Sequence, residues 1–105
     1  MQPVTDGASA PWFVYLIECR NGSLYTGISN DVAARYLAHA SGKGARYTRA
    51  NPPVRLLAVL VCTDRAEASR QEYAIKKLAP KAKRALCAAH PPDSALLARL
   101  AGAAD

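Results

Sequence analysis

The apolar positions in the first part of the chain fall into two short runs. Trp12 to Cys19 is aromatic and β-branched and apolar at almost every position, which predicts a strand buried on both faces. Leu24 to Ile28 predicts a second, shorter strand, with Arg20-Asn21-Gly22-Ser23 as a hairpin turn between them. Ser29-Asn30-Asp31 is a helix-start signal, and Val32 to Ala40 continues with helical spacing. Ser41 to Pro53 holds Gly42, Gly44, Pro52 and Pro53 and reads as loop or broken helix. Val54 to Thr63 is apolar on both alternations with one charge, Arg55, and predicts a buried strand. Asp64-x-x-Glu67 resembles a capping box opening a helix to about Ala79. Pro80 suits the first position of a shorter helix to Ala89, Pro91-Pro92 breaks it, and Asp93 or Ser94 caps a last helix from Ala95 to Leu100. The order β-β-α-loop-β-α-α-α predicts an α/β chain of the α+β kind, a small three-stranded antiparallel sheet flanked by helices.

A length of 105 residues bounds this to one domain with a small core. Residues 1–11 read as a flexible tail, residues 12–89 as the folded domain and residues 90–105 as a C-terminal helix and tail. Half of the residues are hydrophobic, but 22 of them are alanine, which favours helix and buries little area. No apolar run approaches the roughly 20 residues of a membrane-spanning helix. Residues 1–10 lack a basic region followed by an apolar stretch, so no secretory signal is expected. Cys19, Cys62 and Cys87 are widely spaced and odd in number, which argues against a disulfide framework and a structural zinc. A reducing cytoplasm is the simplest compartment.

Charge is distributed unevenly. The chain is +6 overall, yet Arg35 to Arg84 alone carries twelve Lys or Arg against Asp64, Glu67 and Glu72. Such asymmetry suits a polyanion partner, although basic chains can also be so for solubility alone. In the loop after the first helix, Lys43, Arg46 and Arg49 with Tyr47 fit phosphate contacts beside a stacking surface; a solvated basic loop is the competing reading. Lys76 and Lys77 complete the candidate nucleic-acid-binding set. Ser41-Gly42-Lys43-Gly44 is not a P-loop, since the upstream glycine and preceding strand are missing.

Two tyrosines, Tyr15 and Tyr25, carry a geometric test. A two-residue turn at Asn21-Gly22 would put them on opposite sheet faces. A three-residue loop, Arg20-Asn21-Gly22, with Gly22 left-handed in a bulge, pairs Ile17 with Tyr25 and puts both on one face. Asp31, Arg35 and His39 follow at i, i+4, i+8 and share a helical face. Arg35 could clamp a phosphate with its planar fork, or merely pair with Asp31 at the surface. His39 could donate to a phosphate or help a tyrosine shed its proton. Glu72 borders the apolar stripe of its helix, Ala68, Ile75, Leu78 and Ala79. A magnesium ion would satisfy its carboxylate, and so would Lys76 at i+4.

These pieces resemble the GIY-YIG nuclease superfamily, and within it the small single-domain bacterial proteins of the UPF0213 type. The resemblance spans roughly Trp12 to Leu86. Its motifs stand here as Val14-Tyr15-Leu16, Tyr25-Thr26-Gly27, Asp31 to Arg35 with His39, Ser41 to Arg49, and Glu72 to Leu78. Each is weak alone, and five in order are a strong signal. The resemblance implies a metal-dependent endonuclease that hydrolyses DNA, structured or single-stranded, in repair, recombination or DNA processing. A non-catalytic nucleic-acid-binding module with the same fold is the alternative. It implies one divalent cation, Mg2+ or Mn2+, on Glu72; Tyr15 or Tyr25 as general base; Arg35 on the scissile phosphate; and His39 beside a tyrosine or the phosphate. Gly22 and Gly27 are structural, Gly27 allowing close backbone approach. DNA is the implied partner, with a repair or recombination protein beside it, no membrane, and a monomer or weak dimer. Four places depart from the family pattern. Gly-Ile is missing from the first motif, Ala40 replaces an asparagine, Ile28 stands where the repair branch has lysine, and only basic residues and alanine lie near Arg84, where several branches have asparagine.

Overall fold

A computed structural model describes residues 10–104 of the chain. The expected N-terminal tail falls almost wholly outside them. In chain order the described elements are β1 Trp12–Cys19, β2 Leu24–Ser29, α1 Val32–Ala40, α2 Arg46–Ala50, β3 Pro53–Cys62, α3 Arg65–Lys76, α4 Pro80–Ala89 and α5 Ser94–Ala104. The strands form one antiparallel sheet in the order β2-β1-β3. The fold is the expected α+β one.

β1 is central, which is why its sequence is apolar on both faces. Val14 and Leu16 pack on one face with Ala58, Cys62, Ala68 and Ile75 of α3, and Cys87 of α4. Tyr15, Ile17 and Cys19 pack on the other with Val32 and Ala33 of α1, Leu56, and Leu100 of α5. The sheet is therefore covered on both sides, and each helix contributes small or branched residues to its contact.

β3 corrects its expectation. It pairs only with β1 and is an edge strand, so Val54 and Val61 remain exposed, at 56% and 72%. A continuous apolar run cannot by itself distinguish an edge from a centre. The edge is blunted by Pro53, by two register shifts against β1, and by the Val59 N–H, which donates to the His90 carbonyl at 3.0 Å.

The hairpin is the three-residue form. Ile17 pairs with Tyr25 and Tyr15 with Gly27, while Gly22 sits at φ +86°. The Gly22 N–H donates to the Cys19 carbonyl at 2.8 Å, and the Cys19 N–H to the Ser23 carbonyl at 2.9 Å. This is a tight turn closed by a left-handed glycine, a backbone that an L side chain adopts only with strain. Arg84 of α4 donates to the Gly22 carbonyl at 3.0 Å and to Glu18 at 3.3 Å, and Arg55 donates to Glu18 at 2.8 Å. Arg84 thus ties α4 to the turn.

Three aspartates start helices: the carboxylates of Asp31, Asp64 and Asp93 accept from the N–H groups of Ala34, Glu67 and Leu96 at 3.1, 2.8 and 2.7 Å. The reciprocal half of the expected capping box is shifted: Glu67 accepts from the Thr63 N–H, at 2.7 Å. α2 lies inside the stretch read as loop or broken helix. Five residues are too few to display an apolar period, and no side chain caps it. α3 ends at Lys76, short of the expected Ala79, and α5 runs past the expected Leu100.

Candidate active site

The bulged turn places Tyr15 and Tyr25 on one face with ring centroids 6.4 Å apart. Tyr15 is buried at 1% exposure; Tyr25 is half-buried. α1 crosses this face and brings His39, also buried at 1%, against both rings. The Tyr15 hydroxyl and His39 Nε2 are 2.8 Å apart. The Tyr25 ring meets the His39 ring edge-on at 5.1 Å, and on its other side stacks with Tyr47 of α2 at 6.1 Å. On the far side of the imidazole, Nδ1 lies 2.7 Å from the Thr48 hydroxyl.

Two glycines make room for this pair. A Cβ on Gly27 would run into the Tyr15 ring and hydroxyl, and one on Gly44 into the His39 ring. Gly27 therefore packs directly under the tyrosine of the neighbouring strand. Gly44 reads in the sequence only as a loop breaker, because nothing there says which ring folds over it.

Burial dominates the electrostatics. It pushes the Tyr15 phenol up to about 12, against the Arg35 guanidinium, which pulls it down; Tyr25 and Glu72 add smaller upward pushes. Burial, with a contribution from Arg35, pushes His39 down to about 4. At neutral pH the buried pair is a phenol against an uncharged imidazole. Arg35 and Glu72 both act on Tyr15, although Glu72 belongs to α3, whose core residues pack on the opposite sheet face.

Asp31 does not pair with Arg35. Its carboxylate caps α1 instead, so Arg35 is left to face the tyrosine side of the helix. Glu72 is partly exposed and lies 3.2 Å from Lys76 Nζ, the i+4 partner. Among the described residues no group of three or more His, Cys, Asp or Glu converges. Magnesium asks for less: it keeps several waters and takes one or two carboxylates together with substrate phosphate. A single partly exposed carboxylate, Glu72, fits such a hydrated ion.

Lys43, Arg46 and Arg49 are exposed on the α1–α2 loop and α2, and Lys76 and Lys77 are exposed at the end of α3. Tyr47 is 41% exposed and its hydroxyl is held by Ser23 and Asn21 of the hairpin turn. Lys77 Nζ sits 4.1 Å over the ring of Tyr73. A depression of about 630 Å³ lies elsewhere, between Phe13 and the starts of α1 and α5; it takes in Asp31, Val32 and Ala33 of the helix motif but not Tyr15, Tyr25, Arg35, His39 or Glu72. A phosphodiester chain needs an open charged surface more than an enclosed cavity.

The GIY-YIG catalytic domain model matches residues 11–85, most of the chain. The chain belongs to the GIY-YIG family. A UPF0213 protein of Xanthomonas axonopodis pv. citri is 57% identical over 77 residues, covering 73% of this chain and 74% of that one. One from Desulfotalea psychrophila is 51% identical over 86 residues, covering 81% and 76%. The solution NMR structure of the UPF0213 protein BH0048 from Bacillus halodurans is 40% identical, covers 86% of this chain and 96% of its own, and superposes with a TM-score of 0.51. The GIY-YIG assignment points to nuclease activity and a nucleic-acid partner. No described helix is long and apolar enough to cross a membrane.

Proposed function

We propose that this GIY-YIG chain is a metal-dependent endonuclease that hydrolyses DNA phosphodiester bonds, acting on single-stranded or branched DNA in repair, recombination or DNA processing. The observation that carries the reading is the buried Tyr15–His39 contact, with the Tyr25 ring packed beside it and the charges of Arg35 and Glu72 acting on Tyr15.

Tyr15 is assigned the general base, with His39 behind it. The phenolic oxygen takes a proton from water as it gives its own to Nε2, so water becomes the nucleophile without a free phenolate forming. Arg35 offers two parallel donors to the scissile phosphate and offsets the charge that develops there. Glu72 would hold one Mg2+ or Mn2+, which supplies Lewis-acid stabilisation of the phosphoryl and leaving oxygens. Tyr25 shapes the other wall of the imidazole pocket. Lys43, Arg46, Arg49, Lys76 and Lys77 would hold the backbone, with Tyr47 as a stacking surface for an unpaired base. Three free buried thiols suit a reducing cytoplasm.

The test is a cleavage panel of single-stranded, flapped, branched and duplex DNA, with RNA counterparts, with and without magnesium. Wild-type protein should cut in magnesium and leave 5′-phosphate and 3′-hydroxyl ends, and Glu72→Ala should not cut while remaining folded. Undiminished cutting by that variant removes the metal role. The Glu72–Lys76 pair keeps a second reading open, a module that binds nucleic acid without cleaving it. Binding without cleavage on every substrate and metal would select it.

A further inference from the structure

The contact between His39 and Thr48 has a consequence for proton placement. Thr48 Oγ1 lies 3.0 Å from the Ala45 carbonyl oxygen and 2.7 Å from His39 Nδ1. A hydroxyl has one proton to donate, and a carbonyl can only accept. Both contacts are hydrogen bonds only if Thr48 donates to Ala45 and His39 donates from Nδ1 to Thr48. The imidazole is neutral at ordinary pH, so its single proton is then on Nδ1 and Nε2 is bare. Nε2 must accept, and the group 2.8 Å away is the Tyr15 hydroxyl, which must donate.

We propose that Thr48 is a positioning residue. Its hydroxyl, committed to the first turn of α2, holds His39 in the Nδ1–H tautomer and so presents a bare Nε2 to the Tyr15 phenol. The catalytic half of this assignment rests on the endonuclease reading; the tautomer does not. Without the threonine hydroxyl the imidazole gains nothing by keeping its proton on Nδ1. It can then put that proton on Nε2 and donate to Tyr15, which closes the route by which the phenol gives up its own. Three features fix the arrangement: Thr48 is 1% exposed, Gly44 leaves the space that the ring fills, and the Lys43 N–H donates to the Ala38 carbonyl at 2.8 Å, closing the loop onto α1.

The chain has two histidines, so a His90→Gln background leaves His39 alone in the ring spectrum. Long-range nitrogen–proton correlation of that ring reads the tautomer directly. Nδ1 protonated and Nε2 bare is expected in the background protein and in Thr48→Ser. Thr48→Val, with matched volume and no hydroxyl, should move the proton toward Nε2. In cleavage assays Thr48→Val should lose about tenfold or more in kcat with KM changed less than about twofold, and Thr48→Ser should recover it. An Nε2-protonated ring in the background protein, or an unaltered Nδ1–H ring in Thr48→Val, overturns the proposal. So does a changed tautomer with unchanged kcat. Should Thr48→Val not fold, the background and Thr48→Ser spectra still decide it. If the wild-type protein cuts nothing, the endonuclease reading fails, while the ring spectrum judges the tautomer independently.

Discussion

Tyr15 and Tyr25 are the same residue type on the same sheet face, yet their surroundings separate them. Tyr15 is buried against His39, whereas Tyr25 is half-exposed between two rings. Tyr15→Phe removes the partner of a buried ring nitrogen, so it should cost about 1–3 kcal/mol in stability and about 100-fold or more in cleavage. Tyr25→Phe should cost clearly less in both. The reverse order in paired kinetics and urea titrations would move the base to Tyr25. His39 also makes stability depend on pH. Its pKa is depressed on folding, so the unfolded chain binds more protons between about 6.5 and about 4. The contribution is complete above that window and is lost as pH falls through it, amounting to on the order of 3 kcal/mol. Tyr15 has the opposite sign. Its phenol is raised from 10.0 to about 12, so that contribution is whole below 10 and fades as pH rises to about 12. Urea midpoints measured from pH 7 to 4.5 should fall more steeply for wild type than for His39→Gln. Parallel curves would mean that the imidazole titrates normally.

β2 and its turn are the elements on which the site depends. Gly22→Ala meets no neighbour but places a side chain at φ +86°, so it should cost about 1 kcal/mol, read by thermal or urea unfolding. On the other face of β2, the Thr26 hydroxyl is buried with no hydrogen-bond partner. Thr26→Val keeps the shape and removes that hydroxyl, so it should raise stability by about 1 kcal/mol without touching cleavage. Lower stability in that variant would mean that the hydroxyl has a partner after all. These elements also mark how far the sequence can be read. The turn is decidable because its alternatives differ in register, and only one puts Tyr15 and Tyr25 together. The strands, α1, α4 and the aspartate caps follow from local period and capping chemistry. The edge position of β3 does not, because pairing partners are a property of the whole sheet. Nor does Thr48: a threonine in a basic loop carries no local mark of the histidine nine residues earlier. Glu72 is visible as a border residue, but that its charge reaches Tyr15 depends on how α3 packs against the sheet.

At the scale of the whole molecule the question is how a neutral buried pair meets a polyanion. Tyr15 and His39 carry no net charge at neutral pH, and the positive charge lies outside them on exposed side chains. Attraction and chemistry are thus assigned to different residues and should separate experimentally. Replacing Lys43, Arg46 and Arg49 together by alanine removes exposed side chains with no described structural ion pair, so the fold should be kept. On a single strand, every phosphate that is no longer neutralised by a side chain lowers the slope of log affinity against log salt by about 0.7, and the triple variant should therefore lose about 2. Its kcat at saturating DNA should stay near wild type, because the proton pathway through Tyr15 and His39 is untouched. Thr48→Val should do the converse, leaving the salt slope unchanged and lowering kcat. Filter-binding or anisotropy titrations over a salt series, paired with single-turnover cleavage, measure both quantities. A triple variant that kept its slope would place the DNA path elsewhere, with the exposed lysines at the end of α3 the next surface to remove. One that lost kcat in proportion to affinity would mean that the α1–α2 loop orders the imidazole as well as the DNA.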